Sequence, residues 1–410
     1  MKKVIAILLA LMMVVGMLAG CSSEDGGNDA TQNPGGTNTE NPGGEDNPGG
    51  DVGIPLDGSW PEETVKIGIT TFNPTDESFI SVMEYFDYLA EHFNVEFVVS
   101  EALDSAEQEF AFIDSCASAG CFGIFAYFNT AGAQSIKQAT SQGMYYWGME
   151  QYYEEVADDP YYLGAYTLKS GSGSSAKDGN YLAGYQLGLA MGNAGLKHIA
   201  YCNGGASFGV QMFVDRQAGF FDGFAEAQAN GSTTSFDPAT DVIEGFPGTD
   251  AFSAAQSAAL SGDYDGVCAS MDAFSWFQPI LDSGKDFKVG CIGSVSDTYK
   301  TFVDNGTVIA LVYECPELVF GSAIVNMINA ATGHMDLTRG ADGKPLLNPT
   351  QRWLLDSPEA FNVVYETRNV NGQFFITAED IASVLGGINP NATTDDIIAL
   401  FNVPIESVQG

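Results

Sequence analysis

The sequence predicts an α/β fold of two successive lobes, each built on a parallel sheet. Three observations carry this. Short apolar, β-branched runs alternate with segments whose apolar residues recur at helical spacing, from residue 62 to about 335. About 350 residues follow the first sixty, more than one core comfortably fills. The alternation is broken once, by the polar run Ser170-Gly171-Ser172-Gly173-Ser174-Ser175, which reads as a crossing between lobes.

Taken in order, the first residues are an address. Lys2 and Lys3 precede an apolar run from Val4 to Ala19, shorter than the roughly 20 residues a spanning helix needs. It ends at Leu18-Ala19-Gly20-Cys21, where a small-residue cleavage site belongs. This junction resembles the lipobox of bacterial lipoprotein signal peptides. The resemblance implies that residues 1–20 are removed and that Cys21 is lipidated and becomes the mature N-terminus. Residues 21–61 then form a tether, with Asn-Pro-Gly-Gly at 33–36, 41–44 and 47–50. Its composition cannot bury a core, and its reach is about 35 Å.

The fold opens with Val65-Lys66-Ile67-Gly68-Ile69-Thr70, a buried strand, and the polar loop Thr71-Phe72-Asn73-Pro74-Thr75-Asp76. A helix follows through to His92, its apolar face marked by Phe79, Ile80, Val82, Met83, Phe86 and Leu89. Next come a strand at Val95–Val99, a helix at Ala106–Ala119 and a strand at Cys121–Phe128. A helix from about Ala131 to Gln142 is closed by Gly143. The strand Met144–Met149 then leads to Glu150-Gln151. Beyond the Ser/Gly run, helices are predicted at Asn180–Gly192, Gln211–Ala229, Phe252–Leu260, Ala273–Leu281 and Leu318–Ala331. Strands are predicted at His198–Cys202, Asp241–Ile243, Gly266–Ser270, Val289–Ile292 and Val308–Tyr313. The tail from about 337 holds a strand-like run at Phe361–Tyr365 and two short helices, one opening on a capping box at Thr377 and Asp380.

Charge narrows the partners. Fifteen Lys and Arg stand against 53 Asp and Glu, a net charge of −38, which argues against a nucleic-acid partner. Of seven Cys, Cys202, Cys268, Cys291 and Cys315 sit in or beside strand-like runs and read as buried thiols. Cys116 and Cys121 are left open between a pair and two thiols. No Cys or His has zinc spacing, so neither metal nor cofactor is expected.

Arg216-Gln217-Ala218-Gly219-Phe220, Ser270-Met271-Asp272 and Tyr313-Glu314-Cys315-Pro316 with Gly321 lie in the second lobe and its return to the first. Their order and spacing resemble the type I periplasmic-binding-protein superfamily, in particular the sugar-type solute-binding proteins of ABC importers. The resemblance covers about 62–335. It implies two Rossmann-like lobes joined by a three-segment hinge at the Ser/Gly run, Glu314 and Phe361–Tyr365. The first lobe would hold 62–168 plus about 315–360, and the second 169–314 plus about 361–410. It also implies a monomeric binder, lipid-anchored on the outer face of the bacterial cytoplasmic membrane, that delivers a small solute to a permease. Three positions depart from the pattern: Met271 replaces Asn, Glu314 replaces Gln, and Ile292 stands where sugar binders often carry Asp.

Candidate ligand contacts stand just past predicted strands, where open α/β sheets bind ligands. They are Phe72, Asn73, Asp76, Phe128, Asn129, Thr130, Glu150 and Gln151 from the first lobe, with Asp272 from the second and Glu314 from the hinge. Each polar one is equally well read as a cap or turn residue. Aromatic faces such as Phe72 stack on apolar sugar faces or bases, and carboxylates accept from hydroxyls or amines. Tyr146 and Trp147, mid-strand, read as core. Arg216 is one of four Arg; the resemblance turns it toward the cleft. Counting one fixed cation, Arg216, against Asp76, Asp272 and Glu314, the set favours a neutral or amino sugar over an anion. A nucleoside is the alternative, as is a sensor that presents its closed form to a membrane receptor. Gly205-Ala206-Ser207-Phe208-Gly209 matches a nucleophile elbow, but His334 is the one later histidine and the glycines are ordinary for a strand–helix turn, so no enzyme is expected.

Changing Cys21 to Ser should move the protein from the membrane fraction into the medium or periplasm. Retention of Cys21→Ser in membranes washed with high salt and carbonate would disprove the anchor.

Overall fold

The computed structural model describes residues 54–149, 152–168, 179–208 and 211–408; Cys21, Glu150, Gln151 and the Ser170–Ser175 run lie outside them. The first lobe is built from β1 (Val65–Thr71), α1 (Glu77–His92), β2 (Val95–Ala102), α2 (Ala106–Ser118), β3 (Gly123–Ala126), α3 (Ala133–Thr140), β4 (Tyr145–Gly148) and β5 (Tyr162–Leu168). The second begins with α4 (Gly179–Asn193), β6 (Ile199–Cys202), α5 (Gln211–Ala229), β7 (Val242–Ile243) and α6 (Asp250–Ser261). It continues through β8 (Gly266–Ala269), α7 (Phe274–Ser283), β9 (Lys288–Gly293), α8 (Asp297–Asp304) and β10 (Val308–Tyr313). Then come α9 (Pro316–Ala331), β11 (Leu347–Thr350), β12 (Trp353–Leu355), α10 (Pro358–Tyr365), α11 (Ala378–Ser383) and α12 (Thr394–Phe401).

Two six-stranded sheets result, ordered β11-β5-β4-β3-β1-β2 and β12-β10-β9-β8-β6-β7. All pairings are parallel except β12 on β10. In each, the sheet's first strand lies between its second and third, so the topological switch falls between β1 and β3 and between β6 and β8. Ligand crevices open at the carboxyl ends of strands at such points. The loops after β1, β3, β6 and β8 are therefore the ones that the fold presents.

Of the apolar residues expected to face inward on α1, the structure leaves Ile80 exposed. The central strands β3, β6 and β8 are buried on both faces, as parallel sheets require, while the edge strand β2 is partly exposed. Phe125 of β3, for example, packs between Phe86 of α1 and Phe320 of α9, at 5.5 and 5.8 Å between ring centroids. Tyr146 and Trp147 are fully buried core residues, and all six cysteines beyond Cys21 are free and buried.

The tail corrects the sequence reading. Phe361–Tyr365 is the end of helix α10, not a strand. Its apolar residues fit either period over so short a run, and Ser357 with Pro358 supplies a helix cap and first turn. The third crossing between sheets is Gln351-Arg352, which separates β11 in the first sheet from β12 in the second. α10 packs on α8 and β12, but α12 packs on α9 and β11 of the first lobe, so the chain after 374 returns to that lobe. The reason is α9, whose residues Pro316 to Ala330 are all buried. The tail supplies the cover: Asn329 donates to the Val384 carbonyl (3.2 Å) and accepts from Gly386 N–H (2.9 Å). The capping box at Thr377 and Asp380 forms as expected.

α4 and α5 touch backbone to backbone. A Cβ on Gly184 would stand 1.9 Å from the Arg216 carbonyl oxygen, and one on Gly219 1.9 Å from that of Tyr181. Because Arg216 sits on this contact, Gly184→Ala should cost about 1–3 kcal/mol of stability through overpacking, read as a lower urea midpoint. An unchanged midpoint would show that the helices part without penalty.

Candidate functional site

A cleft of about 470 Å³ lies between the lobes. Its first-lobe wall comes from the loop after β1 and the opening of α1, with Phe72, Asp76 and Glu77, and from Tyr127 after β3. Its second-lobe wall comes from Arg216 on α5, Met271-Asp272 after β8, and Ile292 to Ser296 at the end of β9 and just past it. Tyr313, Glu314 and Pro316 form the hinge side.

The local sequence explains each placement. Phe72 follows the last buried residue of β1 and is 37% exposed. It is held upright by stacking on Tyr127 (6.4 Å, 14° between planes) and by Phe128 at 5.8 Å. Asp76 caps α1, accepting from Ser78 N–H (3.1 Å) and Phe79 N–H (3.2 Å). Burial raises its pKa against those two bonds. Glu77 is raised by burial too, and its Oε2 accepts from Ser294 Oγ of the other lobe at 3.4 Å.

Asp272 accepts from Phe274 N–H (2.7 Å) and Tyr299 Oη (2.9 Å). Burial nonetheless pushes its pKa up to about 7, with Glu77 and Asp76 across the cleft adding repulsion. Arg216 is buried; its Nε donates to Asn180 Oδ1 (2.8 Å) and its Nη1 to the Ser270 carbonyl (2.9 Å). Glu314 is ion-paired with buried Arg352 of the third crossing through Nε and Nη2. Arg352 Nη1 shares Asn180 Oδ1 at 3.0 Å.

Of the residues singled out from the sequence, the cleft gathers Phe72, Asp76, Arg216, Asp272 and Glu314. Four others lie off it. Asn73 closes an Asx turn onto Thr75 N–H at 3.0 Å. Phe128 supports Phe72 from behind, with its N–H and carbonyl bonded to the Thr70 hydroxyl. Asn129 accepts from Gly132 N–H and donates to Tyr146 Oη (2.7 Å). Thr130 donates from N–H and Oγ1 to buried Glu109, at 2.7 and 2.5 Å. These are the turn and cap roles that short polar residues also serve.

Sequence reasoning passed over Glu77, Tyr127, Ser294, Arg352 and Asn369. Glu77 and Tyr127 were one residue from chosen positions, and strand alternation past β3 was the signal for Tyr127. Arg352 changes the charge count: buried behind the cleft wall, it pairs with Glu314, which leaves Arg216 as the lining guanidinium beside Asp76 and Asp272. Ser207 is exposed on a short 3-10 turn. His334 follows the far end of α9 and packs on Gly386, away from it. Among the described residues, no His, Cys, Asp and Glu cluster is gathered for a metal ion, and no helix is long and apolar enough to cross a membrane.

No family model matches the chain, and no curated protein matches it by sequence. Solved structures do. A galactofuranose binding protein is 17% identical, with TM-score 0.55, over 75% of this chain and 99% of that one. A periplasmic solute binding protein of an ABC transporter from Actinobacillus succinogenes, with bound D-allose, is 15% identical, with TM-score 0.55, over 72% and 99%. The transcription regulator CcpA of Lactococcus lactis is 15% identical, with TM-score 0.52, over 72% and 100%. The fold is that of the type I periplasmic binding proteins.

A carboxyl whose pKa is raised on folding binds its proton more tightly in the folded chain. Asp272, ordinarily at 3.8 and here about 7, therefore adds stability that is full below about pH 4 and lost as the pH climbs to 7. Asp272→Asn should flatten the fall in urea-unfolding stability over that window, by up to about 1.4 kcal/mol per pH unit. An identical slope in the variant would assign the pH dependence to other groups.

Proposed function

We propose that this protein captures a small polar solute, a neutral or amino sugar, between its lobes and delivers it to an ABC permease, held outside the cytoplasm by a lipid on Cys21. The single observation that carries the reading is the composition of the cleft. An upright aromatic face, Phe72 on Tyr127, opposes Asp272 and Arg216 from the other lobe. A sugar ring offers an apolar C–H face to the first and hydroxyls to the second. Sugar binding by proteins of the same fold, to D-allose and galactofuranose, supports it. The net charge of −38 speaks against a nucleic-acid partner, although a transcription regulator shares the fold.

The charge balance narrows the solute. Glu314 is neutralised by Arg352, and Arg216 is held by Asn180 and the Ser270 carbonyl. Asp76, Glu77 and Asp272 face the cleft with no cation committed to them among their bonded partners. A phosphate or carboxylate there meets like charge in a partly desolvated site. Protonated Asp272 instead donates to a hydroxyl, and ionised it accepts from a hydroxyl or an ammonium. The flat Phe72–Tyr127 pair also fits a base, so a nucleoside is the second reading.

The test is a thermal-shift screen with D-allose, L-arabinose, myo-inositol, D-glucosamine, uridine and a sugar phosphate, followed by calorimetry. A neutral or amino sugar should bind, and Asp272→Ala or Phe72→Ala should weaken it at least about tenfold, roughly 1.4 kcal/mol. Tight uridine binding would select the second reading. Tight binding of the sugar phosphate with both substitutions silent would overturn the site.

A further inference from the structure

Three crossings between the lobes follow from the way the two sheets share the chain. The tail makes a fourth. α10 packs on α8 and β12 in the second lobe. Nine residues after it ends, Phe374 lies on Tyr85 and Tyr88 of α1 in the first, at 5.2 and 4.5 Å between ring centroids. Between these points α10 widens into one π-turn, Glu366–Val370. Such an insertion re-aims side chains and recurs at functional sites.

The segment is pinned at both ends. On the second lobe, Tyr365 Oη donates to Asp297 Oδ1 at 2.6 Å, and Lys300 Nζ lies 5.7 Å from the Tyr365 ring centre. On the first lobe, Arg368 Nη1 donates to Glu317 Oε1 at 2.6 Å and Nη2 to Ser81 Oγ at 3.0 Å, with its guanidinium 4.5 Å over the Phe374 ring. Glu317 is fully buried and also accepts from Phe375 N–H at 3.3 Å. Pulling Arg368 away would leave that carboxylate buried and uncompensated, which is strongly unfavourable. Only Glu366 and Thr367 separate Tyr365 from Arg368, and a helical turn has little slack, at about 1.5 Å of rise per residue. The lobes therefore cannot swing far apart here while both pins hold. Within this span Asn369 joins the cleft wall beside Ser81 and Glu84.

We propose that Tyr365–Phe375 is a ligand-contacting strap, which limits how far the lobes open and sets Asn369 against the polar edge of the solute. The amide offers both a donor and an acceptor, matching a hydroxyl that needs either. The contact rests on the sugar-capture reading; the restraint does not.

Small-angle scattering of the full ligand-free chain tests the restraint. Arg368→Gln combined with Glu317→Gln removes both charges and leaves neither buried alone; Tyr365→Phe cuts the other pin at an exposed end. Each variant should show a larger radius of gyration than the wild type, with circular dichroism and cooperative melting retained. Equal radii in wild type and folded variants would overturn the restraint, and if the double variant does not fold, Tyr365→Phe decides. Calorimetry with D-allose, then L-arabinose, tests the contact: Asn369→Ala should weaken binding at least about fivefold, and unchanged affinity would refute it. If neither these nor any other sugar of the thermal-shift screen binds the wild type, the sugar reading fails and takes Asn369's role with it, while the scattering still decides the restraint.

Discussion

Asn180 Oδ1 takes one hydrogen bond from Arg216 and another from Arg352, and the rest of the site depends on that shared oxygen. Arg216 belongs to α5 in the second lobe; Arg352 belongs to the two-residue crossing between the sheets and is paired with Glu314 at another crossing. One amide carbonyl thus joins a cleft-lining cation to two of the segments that must flex if the lobes move. Two guanidinium groups around one oxygen would repel, and the Glu314 carboxylate offsets this. The geometry ties the hinge segments to the position of a group that lines the cleft.

Around this relay the cleft combines carboxylates with apolar side chains. Asp76 and Asp272 are carboxylates largely removed from water, on opposite lobes, each stabilised by hydrogen bonds that only partly offset burial. Met271 and Ile292 stand beside Asp272 in the same wall, so the second lobe is more apolar than the resemblance to sugar binders implies. A solute with one apolar face and a rim of hydroxyls matches both properties. In the proposed complex, bonds to that rim would recover the cost of dehydrating the carboxylates.

The tail contributes to stability and to the cleft at once. α9 is buried from Pro316 to Ala330 because the first sheet, α1 and the tail helix α12 all pack on it. Its polar side chains Asn326 and Asn329 are tolerated there through bonds to the Ser322 and Val384 carbonyls. Three-quarters of this chain accounts for 99% of the galactofuranose binding protein's chain. A quarter of it is therefore additional to that fold.

By itself the sequence determined the repeating strand–helix order, the two lobes and the loops that carry the cleft. Those features rest on local periodicity, on chain length and on the rule that parallel sheets bind at their carboxyl ends. Phe72, Asp76, Asp272 and Glu314 were legible because they sit immediately past strands. Only the tertiary structure separated them from Asn73, Asn129 and Thr130, which sit in equivalent places but spend their polar groups on a turn, on Gly132 and on Glu109. Whether such a residue faces inward or closes its own loop is decided by neighbours distant in sequence. Arg352, Asn369 and the return of the tail were hidden for the same reason. A helix and a strand are both consistent with eight residues such as Pro358–Tyr365, and the choice is made by which exposed face, here that of α8 and β12, is available to cover.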